Sequence, residues 1–197
     1  GNALNGLTRI ERLRRRFEKG DCDGLLITDE INVRYLTGFT GDSTYLVVTP
    51  RDAVLLSDRR YETQLAQQCP DLSALVRGPD RKMIDLISDA GTWLEAASLT
   101  WELQSQIAGA LPRVELLAAG DPVGDLRMIK DDSELAILKR AIWIAERAFE
   151  SVRAKLRPSL TELQIAHELE ATIRDLGGEG AGFPPIVGAG AGGALPH

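Results

Sequence analysis

Residues 23–61 read DGLLITDEINVRYLTGFTGDSTYLVVTPRDAVLLSDRRY and contain three apolar runs separated by polar, turn-forming residues. The runs GLLIT (24–28), TYLVVT (44–49) and AVLLS (53–57) have the length and the β-branched or leucine content of buried strands. A helix is predicted near INVRYL, between the first two runs. Only residues 50–52 separate the second run from the third, which predicts a hairpin and therefore at least one antiparallel strand pair.

Helices and strands continue to alternate on both sides of this stretch. On the N-terminal side, Thr8 and Glu11 have the spacing of a capping box, and Gly20 stands where that first helix would end. On the C-terminal side we predict, in order, a helix over RRYETQLAQQ, the strand SALVR (73–77), a helix over 82–90, the strand SLTWE (98–102), a helix to residue 111 and the strand VELLA (114–118). This alternation predicts an α/β layer with a mixed sheet flanked by helices.

The pattern changes at residues 120–122, and from there to residue 176 almost every residue fits a helix. One apolar stripe runs from Ile137 to Val152 at helical spacing. A second helix is predicted to begin at a capping box from Ser159 to Glu162 and to end at Gly177. Two helices followed by a glycine-rich tail cannot bury a core by themselves. We therefore predict two domains, residues 1–121 and 122–197, of which the second is incomplete.

Composition excludes several classes of protein. The 197 residues include 23 Lys plus Arg and 29 Asp plus Glu, a formal net charge of −6, so we expect no nucleic-acid partner. No apolar run approaches the roughly 20 residues needed to cross a bilayer, so we expect a cytoplasmic protein without a membrane partner. The two cysteines, Cys22 and Cys69, form no CxxC motif; we expect reduced thiols, and any metal would need carboxylate ligands.

Two glycine-bearing segments are candidate functional loops. TGFTGDST (37–44) has two glycines and several polar side chains, and its amides could hold an anion, although a simple connecting loop is the alternative. GAGAGG (188–193) has the glycine spacing of a dinucleotide-binding loop, but the expected strand before it and helix after it are missing, which favours an irregular loop. His197 follows this second loop. We assign no role to His167, which lies at the margin of a helix stripe.

Four motifs, in this order, resemble the Xaa-Pro peptidase family, which comprises aminopeptidase P and prolidase and has creatinase as a non-peptidase relative. Residues 23–61 are similar to its N-terminal domain, in which N…YLTGF is followed by D-x-RY, here Asp58, Arg60 and Tyr61. DLRMIKDDSELAILKRA (125–141) is similar to the entry into its catalytic domain. SLTELQIAHELE and GGEGAGFPPIVGAGAGGALPH, from residue 159 onward, resemble the segments that precede its active site.

The resemblance implies a creatinase-type N-terminal domain followed by the first helices of a pita-bread catalytic domain. It also implies hydrolysis of the bond before proline in dipeptides or longer peptides, with two divalent ions, manganese or cobalt, in the full-length enzyme. The family's metal ligands are two aspartates, a histidine and two glutamates, all beyond the position of His197, so we expect no metal ligand and no bound metal in this chain. His197 matches a catalytic histidine that contacts the substrate without binding metal.

The resemblance further implies a homodimer in which a loop of the N-terminal domain reaches toward the partner's active site. The polar, glycine-bearing loop at 37–44 suits that task. Phe39 and Asp42 are the predicted substrate-binding side chains.

We therefore expect the N-terminal portion of a metal-dependent Xaa-Pro peptidase, inactive as residues 1–197 alone. The alternatives are a non-catalytic binding or dimerisation module of the same fold, and a creatinase-like hydrolase that cleaves a C–N bond of a small amidine. For the 1–197 chain alone we also expect self-association through the apolar faces of its two long helices.

Overall fold

The computed structural model describes residues 2–17, 24–90, 95–97, 101–112, 117–118 and 120–194. The chain divides into two compact units, residues 1–129 and 130–197, which we call the first unit and the second unit. The helices are α1 (Asn2–Phe17), α2 (Glu30–Thr37), α3 (Glu62–Gln68), α4 (Met83–Ala90), α5 (Trp101–Ala110), α6 (Pro122–Met128), α7 (Asp132–Lys155) and α8 (Glu162–Asp175). The strands are β1 (Leu25–Ile27), β2 (Tyr45–Val48), β3 (Ala53–Asp58), β4 (Ser73–Arg77), β5 (Glu95–Ala97) and β6 (Leu117–Ala118). Short 3-10 helices cover Arg59–Tyr61 and Gly190–Ala194.

Six strands among the described residues form one sheet in the order β4-β3-β2-β1-β5-β6. β2 is antiparallel to both β1 and β3, whereas the other three pairs are parallel. The turn from β2 to β3 is closed by two hydrogen bonds: the Thr49 N–H donates to the Asp52 carbonyl and the Asp52 N–H donates to the Thr49 hydroxyl, both at 2.9 Å. The predicted mixed sheet flanked by helices is confirmed.

The central strands bury side chains on both faces of the sheet because successive residues of a strand point to opposite sides. Leu25 and Ile27 of β1 pack with residues of α1, α2 and α6 on one face, and Leu26 packs with residues of α4 and α5 on the other. All three side chains are at most 2% exposed. Coverage of both faces explains why the strands read as continuous apolar runs rather than as alternating ones.

α6 belongs to the first unit, although it follows the boundary predicted at residue 121. The Asp121 side chain caps it by accepting the Gly124 N–H at 2.8 Å. Val123 and Leu126 are buried in the same core as α1 and α2. The compact units therefore separate after Ile129, because the apolar face of α6 completes the first core.

Two local predictions in the first unit are wrong. α1 extends from Asn2, so Thr8 lies inside the helix and not at its N-cap. The predicted strand SLTWE is displaced, since β5 is Glu95–Ala97 and Trp101 begins α5. The aromatic and β-branched residues favour a strand locally, but Leu103 and Ile107 follow at helical spacing and pack with the sheet.

Both helices of the second unit begin with capping boxes. The capping box of α7 is formed by Asp131 and Glu134. The capping box of α8 is formed by Thr161 and Gln164, so the predicted pair of Ser159 and Glu162, two residues earlier, is wrong. Serine at 159 has the right chemistry for a cap, but Thr161 is the residue whose extended backbone directs its hydroxyl to the Gln164 N–H, at 3.2 Å.

The single apolar stripe predicted for α7 is two separate faces. Ile144, Ala148 and Val152, spaced four residues apart, are buried. Leu138, Ile142 and Phe149 lie on another side of the helix and are exposed, as is Ile137.

None of the helices within the described ranges is long and apolar enough to cross a membrane.

The glycine-rich segment at 188–193 is irregular, as the sequence suggested. The described residues before it form no strand, and Gly190 adopts a left-handed φ of +56° as it enters a short 3-10 helix. The Ala189 N–H donates to the Glu162 carboxylate at 2.7 Å. Within the described residues, the segment therefore does not follow a strand, as a dinucleotide-binding loop would.

Candidate functional site

The candidate site of the first unit is the loop of residues 38–44, between α2 and β2. α2 begins at Asp29, whose carboxylate accepts the Asn32 N–H at 2.9 Å. It ends at Gly38, where a left-handed φ of +79° turns the chain out of the helix and the Gly38 N–H donates to the Arg34 carbonyl at 2.8 Å. Glycine suits this position because a side chain disfavours such a φ.

Polar contacts tie both ends of the loop to the rest of the unit. At its start, the Gln68 side-chain oxygen accepts the Thr40 N–H at 2.9 Å, and the Gln68 amide nitrogen donates to the Thr40 hydroxyl at 2.9 Å. At its end, the buried hydroxyls of Thr44 and Ser57 are 2.6 Å apart. These contacts hold the loop in one conformation without covering its tip.

Two aromatic rings, those of Phe39 and Tyr61, pack closely against the tip of the loop. The Phe39 and Tyr61 rings meet edge to face, with centroids 5.5 Å apart. A Cβ added at Gly41 would collide with Cζ of Phe39 and lie 2.9 Å from Cε1 of Tyr61. Ser43 has a φ of +48°, an uncommon value for a non-glycine residue. Such a conformation persists only where its surroundings enforce it, and it is frequent at functional sites.

Asp42 is the acidic group at this tip. Its carboxylate accepts a 2.6 Å hydrogen bond from the Tyr61 hydroxyl, and the Arg60 guanidinium is 3.9 Å away. The hydrogen bond from Tyr61 is the main reason that the pKa of Asp42 is lowered, and it raises the pKa of Tyr61 in turn. The Asp42 side chain is 57% exposed. It is therefore an ionised, oriented carboxylate that faces solvent.

A second carboxylate engages the neighbouring arginines. Asp58 caps the 3-10 helix by accepting the Arg60 N–H at 2.9 Å, and both of its oxygens lie 3.0 Å from Arg60 Nε. The Arg77 guanidinium is 3.3 Å from the same carboxylate. Hydrogen bonds from Arg60 are the main cause of the lowered pKa of Asp58. Asp58 thus both caps the 3-10 helix and holds the Arg60 guanidinium close to its own carboxylate.

Two of the predicted site residues, Phe39 and Asp42, lie in different environments. Asp42 is exposed at the tip, but Phe39 is only 1% exposed and packs in the core beneath it. The prediction that Phe39 binds substrate does not fit this position, because its ring is buried in the core, where it packs against Tyr61. His197 lies outside the described residues.

Sequence reasoning assigned no site role to Tyr61 or Arg60, although both touch the loop tip. The guanidinium carbon of Arg60 lies 5.2 Å from the centroid of the Tyr61 ring. The available signal was the D-x-RY motif, which contains both residues and follows the loop in sequence. Nothing in their spacing reveals that the chain folds back to place them beside Asp42.

No group of three or more His, Cys, Asp and Glu side chains in the described part of the chain could hold a metal ion. These residues therefore do not fit a two-metal centre. A cleft of about 500 Å³ in the second unit is lined by residues of α7 and α8, including the exposed His167. Two of its charged residues, Lys155 and Glu168, pair with each other at 2.6 Å, and we assign no role to the cleft.

Two sequence profiles match the chain in succession. The creatinase/prolidase N-terminal domain matches residues 9–129, and metallopeptidase family M24 matches residues 136–197. Among curated proteins, an uncharacterized peptidase of Bacillus subtilis is 31% identical over 96% of this chain and 55% of its own length. An Xaa-Pro dipeptidase of Pyrococcus furiosus is 22% identical over 96% of this chain and 54% of its own length. The chain thus spans about half the length of the curated relatives it matches.

Solved structures agree in fold with the chain. An Xaa-Pro dipeptidase from Bacillus anthracis superposes with a TM-score of 0.82 at 31% identity, covering 91% of this chain and 52% of the other. An X-Pro aminopeptidase from Thermotoga maritima gives 0.81 at 29% identity, covering 94% and 55%. The N-terminal domain of a cytoplasmic peptidase from Mycobacterium tuberculosis gives 0.55 at 36% identity, covering 60% and 98%. The chain therefore belongs to the Xaa-Pro peptidase family, with a creatinase/prolidase N-terminal domain followed by a segment of metallopeptidase family M24.

Proposed function

We propose that this chain is part of a metal-dependent Xaa-Pro peptidase of the prolidase or aminopeptidase P type, which hydrolyses the bond before proline in dipeptides or longer peptides. The observation that carries this proposal is the agreement with the Bacillus anthracis Xaa-Pro dipeptidase over 91% of the chain at 31% identity. Family membership in M24, a family of metallopeptidases, supports the requirement for metal. A cytoplasmic location is part of the same proposal.

The two divalent ions, manganese or cobalt, belong in this proposal to the complete gene product. The described residues of this chain supply no cluster for them. His197 is assigned to the substrate pocket as a catalytic residue that contacts the substrate and binds no metal. Residues 1–197 alone are expected to be inactive.

The loop of residues 38–44 is the part of this chain that we assign to substrate binding. In a homodimer, the loop of one copy faces the active site of its partner, and Asp42 presents a fixed negative charge there. The free amino group of an Xaa-Pro dipeptide is the complementary group, because it is cationic at neutral pH and donates hydrogen bonds. Phe39 supports the loop from within the core.

The test is cleavage by the complete gene product, purified and loaded with manganese or cobalt. We expect release of proline from Xaa-Pro dipeptides or of Xaa from Xaa-Pro-Yaa tripeptides, and no cleavage of matched Xaa-Ala peptides. Elemental analysis should find close to two divalent ions per chain. The two peptide classes separate dipeptidase from aminopeptidase activity.

Three results would contradict the proposal in different ways. A protein that binds no divalent metal and cleaves no Xaa-Pro peptide favours a binding or dimerisation module. Hydrolysis of a small amidine without peptide cleavage favours the creatinase-like reaction. Metal-dependent turnover by purified residues 1–197 contradicts the expected inactivity of this chain alone.

A further inference from the structure

We propose that Tyr61 is a positioning residue of this site: its hydroxyl holds the Asp42 carboxylate in one orientation, ready for the free amino group of an Xaa-Pro substrate. The inference rests on the proposed function for its substrate, but the contact that carries it is within the first unit. Tyr61 comes from the 3-10 helix after β3, not from the loop that carries Asp42.

The Tyr61 ring is itself held from two sides. The edge-to-face contact with Phe39 anchors it to the core, and the Arg60 guanidinium covers it with 5.2 Å between its carbon and the ring centroid. The absence of a side chain at Gly41 leaves the space that the ring edge occupies. A ring fixed in this way can direct its hydroxyl at a single point, which is Asp42 Oδ1 at 2.6 Å.

Tyr61, which donates a hydrogen bond to Asp42, is a neutral residue, and this matters for the charge that Asp42 can offer a ligand. A tyrosine hydroxyl orients a carboxylate but leaves its charge available to a cationic ligand, whereas a close arginine would neutralise it. The one arginine placed near Asp42 by the described contacts is Arg60, whose Nη2 lies 2.9 Å from Asp58 and 3.9 Å from Asp42. Asp58 therefore draws Arg60 away from Asp42. The Asp42 carboxylate is instead bonded by two neutral hydroxyls, that of Tyr61 and that of its neighbour Ser43, and the Tyr61 hydrogen bond has the larger effect on its pKa.

Fixing the carboxylate before the substrate arrives lowers the ordering cost of binding. A free side chain on an exposed loop loses rotamer freedom when a ligand immobilises it, which weakens affinity. Removal of the Tyr61 hydroxyl should therefore weaken substrate binding while leaving the chemical step intact. This predicts a change in KM rather than in kcat, provided that substrate release is faster than catalysis.

The experiment uses Tyr61→Phe in the complete gene product, with Tyr45→Phe as the matched control. Tyr61→Phe removes only the hydroxyl and retains the ring that packs on Phe39, so the fold is kept. Tyr45 is half-buried in β2 and packs on the opposite face of the sheet from the Phe39 core. We expect KM for an Xaa-Pro dipeptide to rise by about three- to tenfold in Tyr61→Phe, a change of the size that the loss of one hydrogen bond produces. The kcat of this variant should stay within twofold of the wild-type value. Both KM and kcat of Tyr45→Phe should be unchanged.

A double mutant tests whether Tyr61 acts through Asp42. Asp42→Asn should raise KM by itself, and adding Tyr61→Phe should then have no further effect, because the oriented charge is already gone. Additive effects, or an unchanged KM in Tyr61→Phe, would overturn the positioning role while leaving the peptidase function in place.

A readout without catalysis separates this proposal from the proposed function. In an NMR titration of the Asp42 carboxyl in residues 1–197, Tyr61→Phe should raise the Asp42 pKa toward its ordinary value. If the complete protein cleaves no Xaa-Pro peptide, the proposed function fails together with the substrate assigned to Asp42. An Asp42 pKa that does not respond to Tyr61→Phe would overturn the inference that Tyr61 holds this carboxylate.

Discussion

Arg127 donates a 2.9 Å hydrogen bond to the side-chain oxygen of Asn32, a residue only 5% exposed. The contact joins α6 to α2, two helices that are 95 residues apart in the sequence at this point. Tyr35 of α2 adds a weaker one at 3.5 Å, from its hydroxyl to the Leu126 carbonyl. α6 is thus held by polar bonds as well as by its buried apolar face.

Replacing Arg127 by alanine should loosen α6 from the first unit. The buried Asn32 oxygen would lose its charged donor, at a cost of about 1–3 kcal/mol. We expect faster hydrogen exchange of amides in α6 and α2 of the 1–197 chain. Arg51→Ala, at an exposed position of the β2–β3 turn, is the control. Equal exchange in both variants would show that the apolar face of α6 is sufficient.

The burial of Phe39 predicts a large effect on stability. Phe39→Ala removes a side chain that is 1% exposed and supports both the loop and Tyr61, and such changes cost about 3–5 kcal/mol. Urea unfolding should show this loss, whereas Phe183→Ala, at a residue 72% exposed, should have little effect. A Phe39→Ala protein as stable as the wild type would restore the alternative that Phe39 faces outward.

The tight packing at Gly41 predicts a different effect for two glycine-to-alanine changes. A Cβ at Gly41 would meet the Phe39 and Tyr61 rings, whereas no atom lies within 4 Å of a Cβ at Gly78. Gly41→Ala should destabilise the first unit by about 1–3 kcal/mol through overpacking and displace the tip. Gly78→Ala should be neutral or slightly stabilising. A neutral result at Gly41 would mean that the rings can move aside at little cost.

The lowered pKa of Asp58 predicts a pH-dependent contribution to stability. In the folded chain Arg60 holds the pKa of this carboxyl below its ordinary value, which is about 3.9 in unfolded chains. The stabilisation is therefore complete above that value and is lost as the pH falls through the folded pKa. Asp58→Asn should be less stable than the wild type near pH 6, and the difference should shrink below about pH 4. A difference in stability between Asp58→Asn and the wild type that does not change with pH would argue against this origin.

The exposed apolar face of α7 predicts self-association of the 1–197 chain. Ile142 and Phe149 are 57% and 61% exposed in the second unit. Sedimentation should reveal oligomers that dissociate in Ile142→Glu, because a buried charge is costly at an apolar contact. Ile31→Glu, at a residue 59% exposed in the first unit, is the control. A strictly monomeric wild-type chain would contradict the prediction.

Periodicity predicted most elements of the fold because the strands are short apolar runs bounded by turn residues. β1 to β4 lie where the runs are, and the short turn after Val48 required the antiparallel pair. Errors arose where one segment suits two structures. Residues 98–102 resemble a strand locally, but the helix at Trp101 is selected by the packing of Leu103 and Ile107 onto the sheet.

The candidate site was predictable only in part. Asp42 was selected because the family resemblance implies a loop at 37–44 that reaches toward a partner's active site, and its side chain is exposed at the tip of that loop. Phe39 has a similar position in the loop, yet it is buried and its ring packs against Tyr61, which comes from the 3-10 helix after β3. Contacts between segments distant in sequence, such as that from Tyr61 to Asp42, leave no periodic pattern to read.

The strand order of the sheet also has a consequence for how the chain folds. β2 pairs with β3, which follows it after a short turn. β1 pairs with β5, which is distant in sequence, since Leu25 lies opposite Glu95. Pairings between distant residues form slowly because closing the intervening loop costs entropy. During synthesis, the β1–β4 part of the sheet can therefore assemble while one side of β1 still has unpaired backbone groups. An apolar strand with an open edge is a template for another chain, so we expect this chain to be prone to aggregation in the interval before β5 pairs with β1.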